Sequence, residues 1–261
     1  MHLEVIKLPP EIDKGKPPVL FIHGAWHGAW CWAEYFLPYF AKQGYYSCAF
    51  SLRGHGKSNK TSDFRWSLIS DYVADVRQIA LELPGPPILI GHSMGGLITQ
   101  RYLQQYQAEA AVLMAPIPVN GLLNPVIRLV LRHPLLFLWG HLRLGWYPFV
   151  HTKNLARELF YSENIPDEKL DKYFSQLCDE SYLILYDGLR KISDTGMITC
   201  PILVLGVEND ALFKQTEITT TAEAYNIRAH IFPDMAHNMM LEKDWKTVAD
   251  YILDWLNKIN L

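Results

Sequence analysis

The chain has 261 residues, 49% of them hydrophobic and 20% charged, which excludes a disordered or low-complexity protein. Lysine and arginine number 24 against 27 aspartates and glutamates, a net charge of −3, so there is no global basic field to hold a nucleic acid. A chain of this length buries roughly 70–75% of its unfolded surface and needs no metal or disulfide staple to hold a core. Cys31, Cys48, Cys178 and Cys200 form no C-x-x-C pair and no zinc spacing, and read as reduced thiols of a cytoplasmic protein. The first ten residues carry Glu4 and two prolines where a signal peptide needs an apolar run. No stretch of about 20 residues lacks both charge and proline, so no membrane span is expected.

Short apolar runs bounded by turn residues predict strands at residues 19–22, 45–50, 88–90, 111–114, 202–205 and 227–232. Their continuous apolarity suits parallel strands covered on both faces. Helical patterns lie between them, at residues 32–43, 67–83, 95–106 and 245–259. This alternation predicts a doubly wound, mostly parallel sheet, with its site beyond the carboxyl ends of the strands. Residues 1–118 and 196–261 form the core in this reading. Residues 119–195 lack strand patterns and are expected to be a helical cap inserted in it. The first half of that insertion is very apolar, and its only charges up to Arg157 are Arg128, Arg132, Arg143, Lys153 and Arg157. Its second half is acidic.

Gly91-His92-Ser93-Met94-Gly95-Gly96 sits between the run 88–90 and a helix, and matches G-x-S-x-G. A strand that turns at once into a helix forces its central residue into a strained conformation. Glycines on either side remove the side chains that would clash. The Ser93 hydroxyl is then held at the top of the sheet, and the N–H of Met94 points where a carbonyl oxygen would gain charge. His23 and His27 are four apart on a loop without an acidic partner set, so no metal site is implied.

This motif, with His23-Gly24, Arg53-Gly54-His55-Gly56-Lys57-Ser58, Glu208-Asn209-Asp210 and Ala236-His237 in that order, resembles the α/β-hydrolase fold over almost the whole chain. The resemblance is to serine esterases and lipases of the monoacylglycerol lipase and lysophospholipase type. It implies a Ser93, Asp210, His237 triad, with Glu208 as the alternative acid, because the usual interval would put the acid at Asn209. Ala236 replaces a commoner glycine. It further implies an oxyanion hole of the Met94 and Ala25 N–H groups, with Trp26 as the alternative to Ala25. His23 and His55 would brace their loops, and Arg53 and Lys57 would be turn-surface charges.

The apolar half of the insertion is read either as ordinary packing or as an acyl pocket, with Trp26, Leu138, Trp139, Leu142 and Trp146 as substrate-binding candidates. The expected activity is cleavage of a small lipophilic carboxylic ester through an acyl-enzyme, without cofactor, by a monomer or homodimer whose membrane contact is at most peripheral. Gly28-Ala29-Trp30-Cys31-Trp32 also resembles the plant methylesterase and hydroxynitrile lyase group. Gly24 and Asn238 stand where the lyases carry threonine and lysine, which leaves methyl-ester hydrolysis as the alternative from that group. Thioesterase, carbon–carbon hydrolase and perhydrolase chemistry on the same triad, and a non-catalytic ligand receptor, remain further alternatives.

Overall fold

The computed structural model describes residues 1–261. The six apolar runs become strands β2 (Val19–Ile22), β3 (Ser47–Phe50), β4 (Ile88–His92), β5 (Ala110–Met114), β6 (Ile202–Val207) and β7 (His230–Phe232), and an unanticipated strand, β1 (Val5–Leu8), precedes them. Every residue of β2, β3, β4 and β5 is buried, as strands covered on both faces must be. They form one sheet in the order β1-β3-β2-β4-β5-β6-β7. All neighbours are parallel except β1, which runs antiparallel to β3 at the edge. Ile22 is level with Gly91, and Gly91 with Leu113. The carboxyl ends of β2, β4 and β5 therefore open onto one common space.

The helices differ from the sequence expectation in informative ways. The pattern at 32–43 is broken into α1 (Trp30–Ala33) and α2 (Phe36–Lys42). Pro38 accounts for the break, because its ring would clash with the carbonyl four residues earlier, at Glu34. The helix expected from residue 67 begins two residues later, as α3 (Ile69–Ala80). A 3-10 turn occupies 64–66, and the Asp71 carboxylate accepts the Leu68 N–H at 2.9 Å. α4 is Met94–Leu103.

Between β5 and β6 the chain forms α5 (Leu123–Arg132), α6 (Pro134–Arg143), α7 (Lys153–Phe160), α8 (Asp167–Phe174) and α9 (Ile184–Asp187). A helix not anticipated from sequence, α10 (Gln215–Glu223), follows β6, and α11 (Trp245–Lys258) closes the chain. Trp245 of α11 stacks on Tyr35 and packs on Phe36, while α3 and α4 pack on each other, so the sheet lies between two helical layers.

Residues 178–187 are tied to the core by polar groups. Glu180 is buried, with Oε2 at 3.0 Å from His55 Nε2 and Oε1 accepting the Tyr72 hydroxyl at 2.7 Å. The Ser181 hydroxyl donates to the Ser67 carbonyl, the Tyr182 N–H to Arg65, and the Ile69 N–H to Asp187. His55 therefore does more than brace its own turn. Nor is Arg53 a free surface charge: its guanidinium grips the buried Asp75 and reaches Asp71. Burial opposes a charged His55, but the Glu180 carboxylate and the Arg53 carbonyl outweigh it and raise the imidazole above its ordinary 6.5. Burial likewise opposes a charged Glu180, and His55, Tyr72 and the Ser181 N–H outweigh it and hold the carboxyl below 4.5.

The histidine's stabilisation is complete below 6.5 and is lost as pH rises through its raised native value. The carboxylate's is complete above 4.5 and is lost as pH falls through its depressed native value. The pair therefore contributes most between those two ordinary values. Glu180→Ala should lower stability by about 3 kcal/mol, since it leaves a buried imidazolium unpaired. Urea unfolding across pH checks this: the variant's deficit should be largest in that window and shrink above it.

Candidate active site

The loops at the carboxyl ends of the strands converge on Ser93, the single residue between β4 and α4. Its backbone is at φ 54°, ψ −116°, a conformation costly for a residue with a side chain. The glycines around it are required by space. A Cβ on Gly91 would lie 2.4 Å from the Gly95 carbonyl oxygen, and one on Gly95 would lie 2.2 Å from that of Ile22. The strained turn is anchored by the Ser93 N–H donating to Met114 at 3.0 Å. The Ser93 carbonyl accepts the N–H groups of Gly96, Leu97 and Ile117. Met94, the first residue of α4, has an N–H without an intrahelical acceptor.

His237 follows β7 and is 1% exposed in its side chain, as is Asp210, which follows β6. Their Nδ1 and Oδ2 lie 2.9 Å apart. The other carboxylate oxygen accepts the N–H groups of Leu212 and Phe213 at 2.8 and 3.0 Å, which fixes the direction of the carboxylate. Glu208 is exposed and accepts the Asp234 N–H at 3.2 Å. Of the two candidate acids, only Asp210 meets the imidazole. On the far side of the ring, Nε2 is buried and has no hydrogen-bond partner, Ser93 Oγ included. The rings of His92 and Phe213 pack on that imidazole with centroids 4.7 and 5.5 Å away.

The oxyanion-loop candidates lie after β2. Trp26 has φ 64°, and its indole N–H donates to the Trp146 carbonyl at 3.1 Å. Sequence reasoning missed a bridge behind this loop. His27 Nδ1 lies 2.7 Å from the Ala25 carbonyl oxygen, and its Nε2 lies 2.9 Å from the Asn238 amide nitrogen. Burial pulls the His27 pKa down to about 4, so the ring is neutral, with one donor for Ala25 and one lone pair for Asn238. The loop that follows β2 is thus joined to the residue beside His237. Nothing in the sequence pairs positions 27 and 238.

A cavity lies above Ser93, and 14 of its 17 lining residues are hydrophobic. Ala25, Trp26, Ser93 and Met94 line one side, α5 and Phe137 of α6 another, and Trp146 and Phe149 a third. Of the substrate-binding candidates, Trp26 and Trp146 line the cavity. Leu138, Trp139 and Leu142 do not. Leu138 and Leu142 face solvent, and Trp139 packs against His151. The correction has a simple cause. α6 is apolar nearly all round, so its sequence does not mark which side faces inward. No group of three or more His, Cys, Asp or Glu side chains is placed to hold a metal ion.

The sequence pattern of the alpha/beta hydrolase family matches residues 19–251. The chain belongs to that family. Among curated alpha/beta hydrolase relatives, methylesterase 3 of Arabidopsis thaliana is 27% identical over 161 residues, which are 61% of this chain and 54% of that enzyme. The chain thus spans about half the length of that relative, and less of others such as methylesterase 2 of the same plant, at 38%. Solved structures are matched along nearly their full length. An esterase from Exiguobacterium antarcticum superposes with a TM-score of 0.79 at 17% identity, over 98% of this chain and 95% of that one. A monoacylglycerol lipase from Paleococcus ferrophilus gives 0.74 at 19%, over 98% of each chain. At such identities the likeness is one of fold, and it extends through the segment between β5 and β6.

The turn geometry predicts a sharp difference between two glycines. Gly95→Ala should destabilise by about 1–3 kcal/mol, because the new methyl meets the Ile22 carbonyl. Gly85→Ala, with nothing within 4 Å, should leave the midpoint of denaturant unfolding nearly unchanged. Equal midpoints for the two variants would contradict the packing described for the elbow.

Proposed function

We propose that this alpha/beta hydrolase cleaves a lipophilic carboxylic ester through an acyl-enzyme on Ser93. The observation that carries the reading is the joint presence, beyond the carboxyl ends of the strands, of a strained, cavity-facing serine and a buried imidazole that is held by Asp210 and has its other nitrogen unpartnered. A serine hydroxyl is a weak nucleophile until a positioned base accepts its proton. Ser93 Oγ attacks the ester carbonyl while His237 Nε2 takes the proton. Asp210 keeps the proton of the resting imidazole on Nδ1. The N–H groups of Met94 and Ala25 stabilise the oxyanion. His237 then gives its proton to the departing alcohol oxygen, and a water molecule repeats the sequence, releasing the carboxylic acid and restoring Ser93. The Ser93–His237 contact closes when substrate is bound, as such contacts do in enzymes whose free geometry is loose.

The apolar lining supports an acyl group as the occupant of the cavity, with residues 119–195 as the cap that encloses it. Each buried methylene would contribute about 0.8 kcal/mol, or about fourfold in kcat/KM. The curated relatives named methylesterases support a methyl ester of such an acid as a second reading, which differs only in the alcohol that leaves. No helix is long and apolar enough to cross a membrane. The four unpaired cysteines, with burial raising each thiol's pKa, fit a reducing cytoplasm.

Two sets of measurements test the reading. On p-nitrophenyl esters from acetate upward, kcat/KM should rise with acyl length, and Ser93→Ala should lower it by roughly 10⁴-fold or more. Asp210→Asn should also cost activity heavily, and Glu208→Gln should not. Methyl and glyceryl esters of the preferred acid then identify the alcohol. Turnover that survives Ser93→Ala, or that peaks at acetate, overturns the serine or the lipophilic part of the proposal respectively.

A further inference from the structure

The outer faces of α5 and α6 carry an apolar surface that the chemistry at Ser93 does not use. Leu123, Ile127 and Leu131 recur every four residues along α5. Leu135, Leu138 and Leu142 recur at three and four along α6. Such spacings keep side chains on one helical face. All six are between 47% and 78% exposed, and they make up nearly half of the large hydrophobic side chains exposed on the whole molecule. The two helices are joined only by His133 and pack on each other, so the six side chains lie on two neighbouring helices. Single exposed leucines are ordinary, but a contiguous set marks an interaction surface.

Charge distinguishes between occupants. Residues 119–157 contain no aspartate or glutamate. The carboxylates that reach these helices come from elsewhere and are already engaged: Glu217 with Arg128, and Glu158 with Arg132 and His133. Lys153, just beyond, pairs with Asp171. Arg143 has no carboxylate partner, and its guanidinium lies 5.8 Å from the Trp139 ring. The rim is therefore weakly cationic, with an amphipathic tryptophan beside its free arginine, a pairing suited to lipid headgroups. A second copy of the chain is a poorer fit. A self-paired contact would bring this rim against its own image, which offers no unengaged carboxylate to either Arg143.

We propose that the α5–α6 face docks this protein on a lipid bilayer, with preference for anionic headgroups. The inner sides of the same two helices line the cavity above Ser93, through Pro125, Val126, Leu129 and Phe137. Docking would thus place bilayer and cavity on opposite sides of one helical layer. The docking itself is independent of the ester reading, because it is measured without turnover. Its strength comes from the apolar area buried in the interface, with a smaller electrostatic contribution that salt screens.

Co-sedimentation with vesicles tests this. The full chain should bind vesicles of phosphatidylcholine mixed with phosphatidylglycerol more tightly than vesicles of phosphatidylcholine alone, and added salt should narrow the difference. Leu131→Ser combined with Leu135→Ser should weaken binding to both by roughly tenfold or more. Arg143→Glu should remove most of the preference for the anionic vesicles. The double variant should keep its circular dichroism and its turnover of a soluble short-chain ester, since neither residue lines the cavity. Absence of binding to either vesicle, or binding unchanged in the double variant, overturns the proposal. So does a wild-type dimer by sedimentation velocity that the double variant makes monomeric, because the stripe would then be a contact between copies. A wild-type chain that binds vesicles but turns over no ester would count against the ester reading and leave the docking standing.

Discussion

The organisation of this molecule depends on one strained residue. Ser93 is held at a positive φ because β4 passes into α4 without an intervening loop, and the residues two before and two after it are glycines because a Cβ there would meet backbone oxygen. Backbone strain of this kind costs of order 1–3 kcal/mol and persists only where the surroundings over-determine it. Here the Met114 carbonyl and the three N–H groups on the Ser93 carbonyl do so. The result is a hydroxyl that lines the cavity, beside a helix N-terminus whose first N–H, that of Met94, has no intrahelical acceptor.

Around that turn, three buried histidines act as neutral couplers. Burial holds each below its ordinary pKa, so each has one N–H to give and one lone pair to receive. His23 accepts the Leu52 N–H and donates to the Gly24 carbonyl, which ties the loop after β2 to the loop after β3. His27 joins Ala25 to Asn238, and His92 donates to the His237 carbonyl. A protonated imidazole would have two donors and could play none of the accepting roles. His55 is the contrast: its partner is a buried carboxylate, which raises its pKa rather than lowering it, and the pair helps to secure residues 178–187 to the core.

Much of this was legible in the sequence because it rests on patterns with strict physical causes. Continuous apolar runs mark doubly covered strands, and glycines two before and two after a serine mark the elbow. The Asp210–His237 pairing followed from resemblance, and the exposed setting of Glu208 resolved an ambiguity that spacing alone left open. What was missed had weak local signals. β1 is a four-residue edge strand interrupted by Lys7, and α10 is rich in threonine, whose branched Cβ disfavours helix. The bond from His27 to Asn238 spans 211 residues. α6 misled for a different reason: a helix apolar on both sides satisfies two demands, and periodicity cannot separate the side facing the cavity from the side facing outward.

The same two helices thus cover an apolar cavity with one face and present an apolar stripe with the other, and the charge around them is arranged so that only a cation is left unpaired. Both surfaces matter to catalysis only if Ser93 is the nucleophile. The most direct test is reaction with a fluorophosphonate followed by peptide mass spectrometry. The account predicts a single phosphonyl adduct on Ser93 of the wild-type chain, formed far more slowly when His237 is replaced by alanine. A folded chain that stays unlabelled, or that carries its adduct on another residue, would contradict it.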